Sequence, residues 1–158
     1  MVVAWWRRPG QESGELMSEK VESSGPLPAV PYIKLPAGGD PYLEGQKCSS
    51  CGAVYLGQRM ACGKCFSRDK FEAVKLSDRG TLHVFSIVHR SFPGVEVPFV
   101  SAIVDLEGGG TVKGNLVGVE AEPGSVELGM PVEVFFDDAG RKDSDGNSYV
   151  SYFFKPAA

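Results

Sequence analysis

Residues 47–65 read KCSSCGAVYLGQRMACGKC and hold every cysteine of the 158-residue chain. The cysteines are Cys48, Cys51, Cys62 and Cys65, which form two Cys-x-x-Cys pairs separated by ten residues. Each pair predicts a tight turn whose two sulfurs converge on one ion, with permissive backbone supplied by Gly52 and Gly63. The stretch therefore predicts a rubredoxin-like ribbon, with a short β-hairpin over residues 54–60 between the two turns.

The four thiolates are the predicted metal ligands. Four ligands complete a tetrahedron and leave no open position for water or substrate, so the sequence predicts a structural ion that supplies folding free energy to the ribbon. Zinc is the expected metal. The alternatives are iron in a rubredoxin-type centre, which also uses four thiolates, and two disulfides or free thiols. A colourless protein would dismiss iron.

The composition indicates a soluble globular protein, with 42% hydrophobic residues, 23% charged residues and a net charge of −4. No apolar run approaches the roughly 18 residues that a membrane span needs. The start, MVVAWWRRPG, places its basic residues after a short apolar patch, which is the reverse of a secretory signal. Paired cysteines point to metal rather than disulfides in a reducing compartment. We therefore expect a cytoplasmic protein with no membrane partner.

The chain divides into three predicted regions. They are an extended, partly disordered N-terminal arm over residues 1–40, the zinc ribbon over residues 41–75, and a barrel over residues 76–158. The arm contains five prolines among Gly, Ser and Glu and has no sustained apolar period. Trp5 and Trp6 are the side chains in it that would bury well.

The third region is rich in β-branched and aromatic residues, and turn-forming residues separate its apolar stretches. The predicted strands cover residues 71–76, 81–90, 97–106, 111–119, 131–136 and 148–154. Five or six short strands with frequent turns predict a mostly β fold, in which a five- to six-stranded OB-like antiparallel barrel follows the ribbon. Gly114 and Gly118 fit the bends of a small barrel.

Strand 97–106 has apolar side chains on both of its faces. One face fills the predicted barrel. The other is a large apolar patch, which a monomer does not usually leave exposed. The ribbon, the N-terminal arm or a partner protein covers it.

The chain lacks the groups of a complete active site. Every cysteine is committed to metal, so none is left as a nucleophile. His83 and His89 are predicted to lie six residues apart on one strand, roughly 20 Å from each other, too far to act on one substrate atom. The acidic residues of the stretch 137–147 suit a solvated hairpin loop. We therefore predict no catalytic residue in this chain.

The order of these features resembles the acyl-CoA-associated family of zinc-ribbon plus OB-fold proteins, long named as a domain of unknown function. The resemblance covers roughly residues 40–156 and starts with a Tyr-x-x-Gly lead-in at residues 42–45. The matching ribbon segments are CSSCG (48–52), Gln58-Arg59 and CGKC (62–65), with Gly57-Gln58 and Gly63 where the family commonly has proline. The barrel matches through GTLHVFSIVHR, PFVSAIVDLEGGGTVKGNLVGV and a Gly-Met-Pro-Val run.

The resemblance implies a small non-catalytic subunit of a heteromeric acyltransferase whose large subunit has the thiolase fold and carries the catalytic groups. Such complexes form or cleave carbon–carbon bonds in acyl-CoA thioesters. The implied cofactors are structural zinc and a CoA thioester as substrate of the complex. A stand-alone chain fits a thiolase partner best, such as that of benzoylsuccinyl-CoA thiolase in anaerobic toluene degradation, in a heterotetramer or larger assembly. The alternative in this family is the small subunit of a thiolase-like retro-aldolase.

Basic residues surround the second cysteine pair, and they are Arg59, Lys64, Arg68 and Lys70. In a subunit of this kind we expect them near the phosphates of CoA or near an acidic surface of the partner. A solvated charged turn is the alternative.

Nucleic-acid binding is the competing class, since zinc ribbons and OB barrels both occur in it. Charge opposes it. Residues 76–158 carry six basic and twelve acidic side chains, a balance that repels a phosphate backbone. We therefore expect no nucleic-acid partner.

Overall fold

The computed structural model of the protein describes residues 25–157, which fold into ten β-strands. The strands are β1 (Leu27–Pro28), β2 (Ile33–Lys34), β3 (Tyr42–Cys48), β4 (Val54–Leu56), β5 (Phe71–Lys75), β6 (Arg79–Val88), β7 (Phe99–Leu106), β8 (Thr111–Leu116), β9 (Pro131–Lys142) and β10 (Ser148–Pro156). Across this described range, no helix is long and apolar enough to cross a membrane. The prediction of a mostly β fold is confirmed.

Strands β6 to β10 form a closed barrel. The order around it is β10, β8, β7, β6 and β9, and β9 pairs again with β10. Neighbouring strands are antiparallel except β10 and β8, which meet in parallel at Phe154 and Leu116. This is the predicted OB-like barrel, with five strands. The predicted strand 71–76 belongs instead to the ribbon, where β5 pairs with β3.

Alternate residues of the strands fill the barrel. The buried residues of β7 are Val100, Ala102, Val104 and Leu106. Phe154 of β10 is fully buried in the same core. Gly114 on β8 leaves room for it, because a Cβ at that position would lie 2.8 Å from Phe154 Cε2 and 3.1 Å from Tyr152 Cε2. The glycine serves close packing against two aromatic rings.

Two strands differ in length from the prediction. Strand β8 ends at Leu116, so Gly118, with a φ of 75°, lies beyond it rather than within it. Strand β9 continues to Lys142, although residues 137–147 were expected to be a loop. Its polar second half stays a strand because β10 continues to pair with it, at Val150 opposite Asp138 for example. Polar side chains are acceptable there since this part of the hairpin lies outside the buried core.

The ribbon is a second sheet, centred on β3. Gly45 of β3 pairs with Leu56 of β4 and with Val74 of β5. The predicted hairpin over residues 54–60 is therefore wrong: β4 pairs with β3. The tight turn that follows β3 reverses the chain and brings β4 back against it, and Gly57, with a φ of 73°, then turns the chain away.

The ribbon packs on the barrel through small residues. A Cβ on Gly109, in the turn between β7 and β8, would lie 3.1 Å from Val54 Cβ. A Cβ on Gly45 would lie 2.6 Å from Leu76 Cδ2, and Leu76 is buried at the junction. The glycine-rich turn between β7 and β8 is thus a packing surface for the ribbon.

Part of the predicted arm is integrated into the fold. Strand β1 pairs in parallel with β10 of the barrel, and β2 pairs with β3 of the ribbon. Ile33 of β2 is buried in the core. Residues 25–40 therefore connect barrel and ribbon, whereas Trp5, Trp6 and the rest of residues 1–24 lie outside the described residues.

Candidate metal centre

The four cysteine side chains converge beyond the end of β3. Their Sγ atoms all lie within 4.8 Å of one another, with separations of 3.7 Å between Cys48 and Cys65 and 3.5 Å between Cys51 and Cys62. A tetrahedron with Zn–S bonds of about 2.3 Å has edges of about 3.8 Å. The donor set therefore fits one zinc ion. The four cysteines are free, and their sulfurs are farther apart than the roughly 2 Å of a disulfide bond.

Each cysteine pair sits in a turn with the same backbone hydrogen bonds. In the first knuckle, residues Cys48–Ala53, the N–H of the first residue donates to the last carbonyl at 2.8 Å, and the N–H of Gly52 donates to the first carbonyl at 2.8 Å. In the second knuckle, residues Cys62–Ser67, the equivalent bonds are both 2.9 Å, with Phe66 in the place of Gly52. Two equivalent turns thus present the four sulfurs, as the sequence predicts.

The residue after the second cysteine of each knuckle has a left-handed backbone. The φ of Gly52 is 74° and that of Phe66 is 60°. This conformation is ordinary for glycine and rare for a bulky residue. Gly63 does not use it, and a Cβ there would meet only the Tyr55 hydroxyl, at 3.6 Å. The expectation of a special backbone therefore holds for Gly52 and not for Gly63.

Hydrogen bonds from neighbouring residues support the buried thiolates. The Tyr55 hydroxyl lies 3.4 Å from Cys62 Sγ, which the Lys64 N–H also approaches at 3.4 Å. The Ser67 hydroxyl lies 3.3 Å from Cys48 Sγ and 3.1 Å from Cys65 Sγ. Cysteine spacing alone does not reveal Tyr55 or Ser67, although both are close to the motif in sequence.

These contacts change the acidity of the thiols. Donation by the Tyr55 hydroxyl, assisted by backbone N–H groups, lowers the pKa of Cys62 to about 5 despite its burial. The hydrogen bond from Ser67 likewise lowers the pKa of Cys48. At Cys51 the Ala53 N–H favours the thiolate, but burial and the other three thiols outweigh it and raise the pKa to about 12. Four crowded thiolates need a cation between them to be ionised together.

The predicted basic residues all lie exposed on and around the second knuckle. They are Arg59, Lys64, Arg68 and Lys70. The Arg59 guanidinium stacks 4.6 Å from the centre of the Tyr55 ring, and a single β-bridge joins Ala61 to Arg68. Between these cations two apolar side chains are exposed, Met60 by 85% and Phe66 by 81%. The four cations and these two apolar side chains thus belong to one short hairpin, residues 59–70, which we call the tip of the second knuckle.

The histidines do not lie on one strand as predicted. Strand β6 ends at Val88, so His89 lies beyond it, and a β-bulge between Leu82 and Val84 interrupts the alternation at His83. His83 Nδ1 lies 2.9 Å from a carboxylate oxygen of Asp105. The sequence gives no signal for this contact, because it joins two different strands. Both side chains are largely exposed to solvent.

Comparison with protein families identifies both parts of this architecture. Residues 37–72 match the model described as "ChsH2, rubredoxin-like zinc ribbon domain", and residues 73–137 match "ChsH2, C-terminal OB-fold domain". The chain belongs to this family. Its members are the zinc-ribbon plus OB-fold proteins that the sequence resembles.

Several family relatives cover most of the chain. A "DUF35 domain-containing scaffold protein" of Methanocaldococcus jannaschii is 37% identical over 72% of this chain and 81% of its own length. The "Benzoylsuccinyl-CoA thiolase subunit BbsA" of Geobacter metallireducens is 34% identical over 77% of this chain and 79% of its own length. Among solved structures, a chain of "Ltp2-ChsH2(DUF35) aldolase" matches with a TM-score of 0.59 and 29% identity, over 74% of this chain and 86% of that one.

The family and the geometry agree on the metal. The matching ribbon model is a zinc ribbon, and the four sulfurs have the spacing of a zinc tetrahedron. The spacing fits a tetrahedral ion held by four thiolates, and the family model supports zinc over iron in this ChsH2-family chain. A closed set of four thiolates supplies structure and no Lewis-acid position for a substrate.

Proposed function

We propose that this chain is a non-catalytic, zinc-binding subunit of a heteromeric thiolase-type enzyme that forms or cleaves carbon–carbon bonds in acyl-CoA thioesters. Zinc holds the ribbon through Cys48, Cys51, Cys62 and Cys65. The ribbon and barrel together stabilise the catalytic subunit and shape its channel for CoA and substrate. The substrate class of benzoylsuccinyl-CoA thiolase is the first to test.

The observation that carries this proposal is the similarity, over most of both chains, to the benzoylsuccinyl-CoA thiolase subunit. A chain 34% identical over 79% of that subunit's length shares both its ribbon and its barrel rather than a single motif. The same subunit of Thauera aromatica is 32% identical over 83% of its length. A subunit role also accounts for the closed metal centre, which takes up all four cysteines of the chain and leaves none to act as a nucleophile.

The apolar side chains exposed on the outer face of the barrel favour a partner protein. Val84 on β6, Val97 just before β7 and Val117 just after β8 are 41%, 43% and 38% exposed, and Val84 pairs with the half-buried Ile103. The described part of the arm lies elsewhere, since β1 pairs with β10 and β2 with β3. This face has the apolar character that buries well against the catalytic subunit.

The basic cluster around the second knuckle contributes to the proposal. Its four exposed cations suit either the phosphates of CoA or an acidic surface on the catalytic subunit. Nucleic acid is disfavoured because the barrel region carries twice as many acidic as basic side chains. A filter-binding measurement at low salt tests that point directly.

Reconstitution with a thiolase-fold protein of the same organism tests the function. We expect the two purified chains to form a stable complex, and we expect CoA-dependent thiolysis of benzoylsuccinyl-CoA by the complex but not by this chain alone. Turnover of a thioester by the isolated chain contradicts the proposal. So does full activity of the thiolase-fold protein in the absence of any complex.

A retro-aldolase complex is the second candidate. The solved aldolase that matches this chain with a TM-score of 0.59 favours it. The same reconstituted complex distinguishes the two reactions, because a thiolase consumes free CoA to release an acyl-CoA whereas an aldolase releases a carbonyl product without consuming CoA. Consumption of one CoA per cleavage supports the thiolase assignment.

A further inference from the structure

Phe66 combines two features that the ribbon alone does not need. Its φ of 60° is rare for a bulky residue, and the equivalent position of the first knuckle is occupied by Gly52. Its ring is nevertheless 81% exposed. Within residues 25–157, burial of the ring therefore does not compensate for the strain in the backbone. Strained residues that pack against nothing in their own chain are typical of functional positions.

The hairpin that carries Phe66 exposes a second apolar side chain and four basic ones. Met60 is 85% exposed. The Asp69 N–H donates to the Met60 carbonyl at 3.4 Å, so residues 60 and 69 face each other at the base of the hairpin. Arg59, Lys64, Arg68 and Lys70 make no ion pair with a carboxylate within the described residues. Three other basic residues of the chain, Lys34, Arg79 and Lys155, do make such pairs.

We propose that this tip of the second knuckle, Met60 and Phe66 within the rim of four cations, inserts into a hydrophobic pocket rimmed by carboxylates on the catalytic subunit. The inference rests on the proposed function and adds to it the surface and the partner chemistry. Aromatic residues that become fully desolvated at an interface contribute a large part of its affinity. Cations at the rim add steering and register.

A protein surface suits the tip better than CoA does. Two large apolar side chains of this hairpin are exposed, and their burial requires an apolar pocket. CoA offers mainly phosphates and amides, which match the cations but leave Met60 and Phe66 without an apolar counterpart. The unpaired cations in a chain of net charge −4 complement an acidic rim.

The decisive variant is Phe66→Gly, because it removes the ring and relaxes the backbone at once. We expect the isolated zinc-loaded chain to keep or raise its Tm, while its Kd for the purified thiolase-fold subunit rises at least about 30-fold, the loss typical of a hot-spot aromatic. Asp69→Gly is the control for the backbone, since the φ of Asp69 is 54°. Leu128→Ala is the control for the side chain, since Leu128 is 66% exposed on a different loop. Both controls are expected to change Kd by less than threefold.

Each other outcome identifies what is wrong. A wild-type chain that does not bind the thiolase-fold subunit overturns the proposed function and this inference together. An unchanged Kd for Phe66→Gly beside a tight wild-type complex overturns the inference alone. A lower Tm for Phe66→Gly means that the chain's own residues cover the ring. An intact complex with weakened binding of free CoA assigns the tip to the coenzyme instead.

Discussion

The two knuckles of the ribbon have the same backbone hydrogen bonds but different residues at their left-handed position. Each needs a left-handed residue after its second cysteine, and that residue is Gly52 in the first knuckle and Phe66 in the second. A Cβ on Gly52 would meet nothing within 4 Å, so the glycine there serves backbone conformation alone. The second knuckle takes the same conformation with an exposed aromatic ring. One turn is therefore built for the metal, and the other also presents a side chain.

Loss of a ligand from either knuckle has the largest expected effect. Cys48→Ser and Cys62→Ser each remove a buried thiolate, and we expect both to lose zinc and to unfold the ribbon. Metal binding supplies on the order of 10 kcal/mol to small sites of this kind, far more than the ribbon's few core residues replace. Metal content by mass spectrometry and thermal unfolding measure the effect. One zinc per chain with an unchanged Tm in either variant would show that the centre lies elsewhere.

The metal centre is predictable from sequence because its information is local. Two Cys-x-x-Cys pairs ten residues apart determine which sulfurs meet, whatever the rest of the chain does. The barrel is predictable for a similar reason, since apolar strands and turn residues alternate along it. The supporting hydroxyls of Tyr55 and Ser67 are not, because their roles depend on how the two knuckles are brought together.

The sequence did not determine which strands pair with each other. Strand β4 was expected to form its own hairpin, yet it pairs with β3 because the first knuckle reverses the chain. The second half of β9 has the composition of a loop and remains a strand through its pairing with β10. In both cases the deciding interaction lies in a neighbouring strand, which propensity does not encode.

Gly114 in the barrel differs from Gly52 in the first knuckle, because it is required for close packing rather than for a left-handed φ. A Cβ at position 114 would lie 2.8 Å from Phe154 Cε2. We expect Gly114→Ala to lower the free energy of unfolding by about 2 kcal/mol, the usual cost of overpacking a core. Gly63→Ala in the second knuckle is the matched control, and we expect a change below about 0.5 kcal/mol. Chemical denaturation of both variants gives the comparison, and equal losses would contradict it.

The two knuckles also differ in how their buried thiolates are supported, and Tyr55→Phe tests this at Cys62. The Tyr55 hydroxyl lowers the pKa of Cys62 to about 5, below its usual value near 9, so protons displace the metal from this sulfur only in acid. Without the hydroxyl the pKa of Cys62 rises, and protons compete at a higher pH. We therefore expect zinc release during acid titration to shift to higher pH, as followed with a chromogenic chelator.

Tyr149→Phe is the control for that titration, because the Tyr149 hydroxyl bonds to Asp143 in the β9–β10 loop, outside the metal centre. It is expected to release zinc at the same pH as the wild type. An identical release curve for Tyr55→Phe would mean that the hydroxyl contributes nothing to retention of the metal.

The smallest expected effect, and the most direct test of the comparison, comes from exchanging the two left-handed residues. Gly52→Phe places a bulky side chain at a φ of 74° and should cost about 1 to 2 kcal/mol. Phe66→Gly relieves the same strain but gives the unfolded chain more freedom, so the expected gain is about 1 kcal/mol or less. Thermal unfolding of the zinc-loaded single and double variants measures both the cost of Gly52→Phe and the gain of Phe66→Gly. If the knuckles are equivalent in structure, the double variant lies near the wild type in stability while it has lost the exposed tip. A loss of stability in Phe66→Gly alone would show that the Phe66 ring supports the ribbon itself, and that the two knuckles differ in structure as well as in the surface they present.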